Sequence, residues 1–464
     1  MLINLDITYK TTIDNPSKRV LEISDAFGVG INESHKHVII ENLTIPEFQI
    51  MYLTGMSGSG KTSMLNYFKE EYSFTEPDIE FDSEKPIIDT IGKDTENALF
   101  LLNLVGLGEA FLYIKPYKVL SDGQKYRYKI AKIIESGQKV WCIDEFCSFL
   151  DRTTAKIVAF NTQKIARKLG VKLIVATAHD DLKNYIQADY VFDFGMGEGL
   201  EITRNTKEVI NPFVDELEIT PGTIEDYKKL GKYHYKNKDA RFTKYIFKMM
   251  YKRILVGVAV YSMPRQQLVG RNVFFNKKYV NERGIPKLSE VNKDFLMGSR
   301  FIIHPMFRGV GLGSELVRKT APQVDRPYIE IVSTMSKYNK FLEQAGAHYV
   351  CDNLNEDKIK KQEKIIKLFE KYNLNYELIS SIDYCQKVLD TVPVEELKNA
   401  IYGVLRPNFF NNRARFKKYG IDFQTKKEFM EPDFPLTPEI LSLAKWPTTT
   451  YYIWDNTKIE SSQK

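Results

Sequence analysis

The chain has 464 residues, and that length exceeds the roughly 250–300 residues at which one hydrophobic core stops growing, so two or three domains are expected. Apolar residues make up 43%, enough for globular cores, and the net charge of +6 permits a polyanionic partner without demanding one. Cys142, Cys147, Cys351 and Cys385 have neither metal-ligand spacing nor a disulfide framework, no signal peptide pattern opens the sequence, and no run of about 18 uncharged apolar residues exists, which together exclude a membrane span and point to a cytoplasmic protein.

Residues 48–54 form an apolar run directly before Gly55-Met-Ser-Gly-Ser-Gly-Lys-Thr62, and residues 63–70 read as a helix. Strand, glycine loop and helix in that order are what a phosphate loop requires. Gly55, Gly58 and Gly60 let successive backbone N–H groups curl around phosphate oxygens at a helix N-terminus. Ser57, Ser59 and Ser63 complete the cradle. Lys61 supplies a point charge to the β- and γ-phosphates of ATP, and Thr62 offers a hydroxyl to Mg²⁺. Val140-Trp-Cys-Ile-Asp144-Glu145 is an apolar strand ending in two carboxylates, which are costly to bury without a cation. Asp144 is expected in the Mg²⁺ shell, and Glu145 is expected to orient and deprotonate the attacking water. Residues 173–176 and 190–194 read as further buried strands. Asn211-Pro212 and Pro221-Gly222 mark residues 205–222 as a linker. Strands are then predicted at 254–261, 301–303 and 328–332, helices at 311–319 and 338–345, and a Lys/Glu-rich amphipathic helix at 355–373.

Three further segments bear on the first half. Leu120-Ser-Asp-Gly-Gln124 opens a helix and resembles the signature of ABC-type ATPases, with Asp122 where glycine is usual. Ser148-Phe-Leu-Asp151 resembles their D-loop, and Ala178-His179-Asp180 their switch histidine. Five motifs thus stand in the family's order across residues 55–180. The resemblance implies a homodimer that sandwiches two ATP molecules. Ser121 and Gly123 of one subunit would contact the γ-phosphate held by Lys61 of the other, with Asp151 and His179 at the same site. Two departures point away from transport. Only about 60 residues separate Lys61 from Ser121, and no Q-loop glutamine stands near residues 80–90, where Asp82-Ser-Glu-Lys85 is found. Both fit ABC-type ATPases of DNA maintenance or phage-encoded systems. Phe27 is a candidate for stacking on adenine.

The second half contains Arg300-Phe-Ile-Ile-His-Pro-Met-Phe-Arg-Gly-Val-Gly-Leu-Gly313. This resembles the central motif of the GNAT acyltransferases, as do residues 328–332 and Asn339-Lys-Phe-Leu-Glu-Gln-Ala-Gly346. The resemblance implies that Arg308 and the N–H groups along Gly309, Val310, Gly311, Leu312 and Gly313 hold the pyrophosphate of acetyl-CoA or another acyl-CoA. The backbone of Ile302 to His304 would pair with the pantetheine arm, and Asn339 would contribute to the same site. The family's usual acid position is Leu342 here, so Tyr338, with Tyr328 nearby, is the candidate acid and Glu330 the candidate base. Tyr233-His234-Tyr235 is a candidate for the acceptor side. The basic and aromatic residues between Arg406 and Lys418 suit nucleic acid or, more simply, a solvated amphipathic helix.

The expected fold is α/β: a P-loop ABC-type ATPase domain at 1–204, a linker at 205–222, a mixed-sheet GNAT-like domain at 223–354, and a mostly helical C-terminal extension at 355–464. The order of motifs resembles phage and bacterial proteins that fuse an ABC-type ATPase to a GNAT domain, over residues 20–350. It implies acyl transfer to an amine coupled to ATP, with DNA or RNA as a possible acceptor. Two alternatives stand beside it: a DNA-handling ATPase whose GNAT fold only binds, and a protein or toxin acetyltransferase regulated by ATP.

Overall fold

A computed structural model describes residues 2–10, 13–31, 33–77, 83–195, 200–206, 208–234, 242–352, 356–411, 425–446 and 449–460. Tyr235, Asp82 and residues 412–418 of the basic-aromatic segment lie outside the described residues. The chain divides into two compact units. The first holds Met1–Ala240, Tyr245–Val260 and Arg300–Thr320; the second holds Arg241–Lys244, Tyr261–Ser299 and Ala321–Lys464. Among the described residues no helix is long and apolar enough to cross a membrane.

The first unit opens with β1 (Leu2–Lys10), α1 (Lys18–Phe27) and β2 (Ser34–Thr44), of which the strands pair antiparallel. Phe27, the last residue of α1, is exposed. Next come β3 (Ile50–Gly55), α2 (Lys61–Glu71), α3 (Thr95–Leu104), α4 (Ala110–Tyr113), α5 (Asp122–Glu135), β4 (Val140–Ile143), α6 (Arg152–Leu169), β5 (Lys172–Ala176), α7 (Lys183–Ile186), β6 (Tyr190–Phe194) and β7 (Leu200–Arg204). One five-stranded sheet has the order β4-β5-β3-β6-β7. Its first four strands run parallel, and β7 closes it antiparallel to β6. Parallel strands covered on both faces need apolar residues throughout. Accordingly Ile50 to Leu53 and Leu173 to Ala176 are all fully buried. α6 is held at both ends, by Asp151 as its N-cap and by Gly170 in the left-handed conformation at its C-terminus.

Residues 205–222, expected as a linker, are fastened to this sheet's helices. Gln187 exchanges two hydrogen bonds with the backbone of Ile210, at 2.8 and 3.0 Å. The Phe213 ring is fully buried among Phe160, Tyr185, Tyr251 and Phe307, with ring centres 5.4–6.5 Å away. These four neighbours keep the apolar ring from water. β8 (Leu217–Pro221), α8 (Ile224–Gly231) and β9 (Thr243–Tyr251) follow, with β8 antiparallel to β9. β10 (Ile254–Ser262) lies next to β9, and His304 N–H donates to Val256 O at 2.8 Å.

The second unit contains α9 (Val269–Phe274), α10 (Leu288–Asp294) and the start of β11 (Phe295–Ile303). α11 (Leu312–Thr320) follows β11 and belongs to the first unit. Then β12 (Tyr328–Ser333), α12 (Phe341–Ala345) and β13 (His348–Asp352) return to the second. β11 pairs parallel with β12 through Phe295–Met297 and Tyr328–Glu330 only. α13 (Glu356–Lys371), α14 (Ile382–Thr391) and α15 (Val394–Asn411) build a helical segment with its own core around Ile365, Phe369, Val388, Leu397 and Trp446. The chain then returns as β14 (Thr450–Asp455), which lies between β12 and β13 and is antiparallel to both. This corrects the expected helical extension at its far end. The run Thr450-Tyr-Tyr-Ile-Trp454 is β-branched and aromatic, and it forms an interior strand, next to the edge strand β13.

β14 is locked by a buried ion pair. Arg271 of α9 grips Glu330 of β12 through two bonds of 2.8 and 2.6 Å, and Tyr451 of β14 donates to Glu330 at 2.6 Å. Arg271 and Glu330 are 2% and 0% exposed, so removal of either charge strands the other in an apolar interior. Arg271→Met should therefore destabilise the second unit by about 3–5 kcal/mol. Denaturant titration followed by near-ultraviolet circular dichroism would measure this, and an unchanged midpoint would remove the pair from that role.

Candidate functional site

β3, β5 and β4 are parallel neighbours, so their C-terminal ends share one edge of the sheet. That edge gathers the phosphate loop after β3, Asp144 and Glu145 after β4, and His179 after β5. Gly55, Gly58 and Gly60 have φ of 134°, 79° and 100°. At Gly55 a Cβ would stand 2.4 Å from the carbonyl oxygen of Phe194, so the loop closes only with glycine there. Gly60 caps α2 without any side-chain bond, which leaves the first-turn N–H groups for an anion. Ser59 Oγ is buried without a partner among the described residues, as a phosphate-facing hydroxyl would be.

Lys61 is 9% exposed and donates to Met56 O at 2.5 Å. Burial pushes its ammonium below the usual range, while the Glu145 and Asp144 carboxylates pull it back up. The three expected charges therefore meet at one site. The turn after β4 is fixed by Phe146 N–H on Ala176 O at 2.8 Å and Cys147 N–H on Tyr126 Oη at 3.0 Å. Asp144 Oδ1 accepts from Glu145 N–H at 2.8 Å. Glu145 has φ of 46° and Cys147 60°, which non-glycine residues adopt at a cost of about 1–3 kcal/mol. A cavity of about 200 Å³ lined by Tyr126, Lys129, Phe149, Asp144 and Glu145 opens beside the turn.

The other candidates of the first half are spread over the same unit. Thr62 and Ser63 lie in the first turn of α2, and Ser57 in the loop. Ser121 and Asp122 are exposed at the start of α5, where Gln124 accepts from Ser121 N–H at 3.0 Å. Asp151 accepts from Thr154 N–H at 3.0 Å. His179 is held through its backbone carbonyl by the Tyr52 hydroxyl.

A second cradle follows β11. Gly309 and Gly311 have φ of 90° and 93°, and the N–H groups of Val310 to Gly313 make no hydrogen bond among the described residues. A Cβ on Gly311 would meet only Asn211 Nδ2 at 3.7 Å, so the space above it is open. Arg308, however, is not aimed there. Its guanidinium donates to Ile303 O at 3.2 Å, Gly108 O at 3.0 Å and Tyr233 O at 3.5 Å. In this structure Arg308 ties backbone segments together. The His304 N–H is engaged with Val256 O at 2.8 Å, and its Nδ1 accepts from Met306 N–H at 3.3 Å. Ile302 is buried, and Tyr233 packs edge-on against His304 at 5.0 Å.

In the second unit, Glu330, the candidate base, is held in an ion pair. Both of its oxygens are committed to Arg271 and Tyr451, and no solvent reaches it. Tyr338 and Asn339 both donate backbone N–H to Met335 O, at 3.0 and 2.9 Å, in the turn before α12. Leu342 is fully buried. Sequence reasoning missed Arg271 and Tyr451. An arginine within Leu268-Val-Gly-Arg271 and the aromatic run at 450–454 were the available signals.

No family model matches the chain. A dimeric bacterial ABC transporter cassette is similar at 17% identity, over 44% of this chain and 97% of its own, with a TM-score of 0.30. The post-hydrolysis state of an ATP-binding cassette bound to ADP and phosphate is similar at 15% identity, over 44% and 97%, with a TM-score of 0.30. CbiO1 from Clostridium perfringens, part of an ABC transporter complex, is similar at 19% identity over 34% and 78%, with a TM-score of 0.27.

The buried ammonium of Lys61 is the only charge the phosphate loop itself carries. Lys61→Ala should weaken binding of ATP with Mg²⁺ by about 10- to 100-fold, the range of a charge-assisted hydrogen bond. Calorimetric titration measures it, and affinity within twofold of the unaltered chain would argue against the loop as the nucleotide site.

Proposed function

We propose that this chain binds and hydrolyses ATP as an ABC-type homodimer and transfers an acyl group from acyl-CoA to an amine, in the cytoplasm. The convergence of Lys61, Asp144 and Glu145 on one sheet edge, under a glycine loop with free first-turn amides, carries the ATPase reading. Thr62 and Asp144 would hold Mg²⁺, which would neutralise charge on the phosphates. Glu145 takes a proton from water as the water oxygen bonds to the γ-phosphorus and the bond to ADP breaks. Lys61 and the loop N–H groups stabilise the charge that develops on the phosphate oxygens. Exposed Ser121, at the N-terminus of α5, suits contact with a nucleotide held by a second copy.

The empty amides of Val310 to Gly313 and the left-handed glycines beside them support the acyl-CoA reading. In that step the amine nitrogen bonds to the thioester carbonyl carbon and the carbon–sulfur bond breaks. The CoA sulfur leaves with the proton that the amine loses. Tyr338 is the candidate to relay it, giving its hydroxyl proton to the sulfur and recovering one from the amine. The exocyclic amine of a base in DNA or RNA is the proposed acceptor. One observation favours a second reading, an ATPase whose GNAT-like half only binds: the Arg308 guanidinium is already spent on carbonyls.

Two experiments test these readings. Glu145→Gln should bind ATP but hydrolyse it at least about a hundredfold more slowly, and with ATP it should sediment as a dimer; unchanged turnover would remove Glu145 from the step, and an unchanged mass would remove the sandwich. Gly311→Glu puts a carboxylate where the pyrophosphate must approach. It should abolish acetyl-CoA binding by calorimetry while leaving ATP binding intact. No binding by the unaltered chain near millimolar acetyl-CoA would select the binding-only reading.

A further inference from the structure

The cradle at residues 309–313 has two sides. Its amide side is open, whereas its carbonyl side is fastened to the ATPase helix and the segment after it. Arg308 O accepts from Asn161 Nδ2 at 3.3 Å, Gly309 O from Lys164 Nζ at 3.3 Å, and Val310 O from Asn211 Nδ2 at 2.8 Å. Asn161 and Lys164 stand three residues apart on α6 and so share a face. Asn161 is 4% exposed, and its Oδ1 is buried with no partner among the described residues. A buried, half-satisfied asparagine in mid-helix is costly and a poor helix former, so the helix alone does not explain it. Its contact with the loop does. A Cβ on Gly309 would meet Asn161 Nδ2 at 2.6 Å, so the loop backbone rests directly on this amide.

A second tie runs through α5. Arg127 donates to Gly123 O at 3.2 Å and to Gly106 O at 3.1 Å, and Arg308 donates to Gly108 O at 3.0 Å. The 106–108 segment therefore bridges α5 and Arg308. α5 begins just after Ser121, and α6 begins just after Asp151. Both helices thus start at residues expected to meet nucleotide; α6 touches the second cradle part-way along its length, and α5 reaches Arg308 only through the 106–108 segment. A packed helix moves as a rod, so a shift at its start reaches the side chains two turns along.

We propose that Asn161 is a positioning residue through which nucleotide at the phosphate loop sets the affinity of the 309–313 cradle for the pyrophosphate of CoA. This rests on the acyl-CoA reading above. Linkage makes the effect reciprocal: CoA alters ATP affinity by the same factor.

The test is a calorimetric titration of the full chain with CoA, with and without saturating ATP, in the Glu145→Gln background. Gly311→Glu in parallel reports any CoA taken by the phosphate loop, which is subtracted. A change in CoA affinity of at least about fivefold between the two states is expected. Asn161→Ala should erase that difference while ATP affinity stays within about twofold, a pattern that loss of packing alone does not produce. Lys164→Met, at an exposed position, should reduce the difference and serves if Asn161→Ala does not fold. Equal CoA affinity with and without ATP overturns the inference and leaves the acyl-CoA reading standing. A difference that survives both substitutions overturns the role of Asn161. No CoA binding in either state overturns both the inference and the reading beneath it.

Discussion

The Phe213 ring is the point on which the first unit depends. It is fully buried where α6, α7, β9 and the Pro305–Phe307 turn approach each other, and each of them gives it an aromatic ring. Rings of this kind meet edge-on at centroid distances of about 4.5–7 Å and add to the area they bury. With that ring in place, the loop after β11 sits against α6 closely enough for Asn161, Lys164 and Asn211 to take its carbonyls. The phosphate loop and the second glycine cradle are consequently parts of one compact unit.

The two glycine loops are built by the same means. Each follows a strand, uses left-handed glycines and presents amides at a helix start. They differ in where the positive charge goes. Lys61 stays at its loop, under the field of Asp144 and Glu145. Arg308 turns away and binds backbone oxygens. A cradle whose arginine is committed elsewhere relies on its amides alone, and its shape is therefore set by whatever grips its carbonyls.

Much of the first half was legible because its signals are local. The phosphate loop needs glycines at fixed positions, and Val140 to Glu145 announces a buried strand with carboxylates at its end; both appear in the structure where the pattern puts them. What the sequence did not show has one cause, which is partners distant in sequence. Glu330 looked like a base on a strand until Arg271 and Tyr451 closed on it from 59 and 121 residues away. Arg308 matched a motif, but Gly108 stands 200 residues upstream. Residues 205–222 had turn-forming pairs at both ends, which hid the one aromatic between them.

The position of β14 bears on how the second unit comes into being. β12 and β13 are made long before residues 450–455, and the helical segment around Ile365 and Phe369 lies between. Until β14 emerges from the ribosome, neither strand has the neighbour it faces in the finished sheet, and the Glu330 carboxylate lacks its tyrosine. The core of the helical segment includes Leu441 and Trp446, so it is completed only just before β14 begins. Closure of the sheet is a late event that spans a loop of nearly a hundred residues, and open strand edges during that wait are what chaperones recognise.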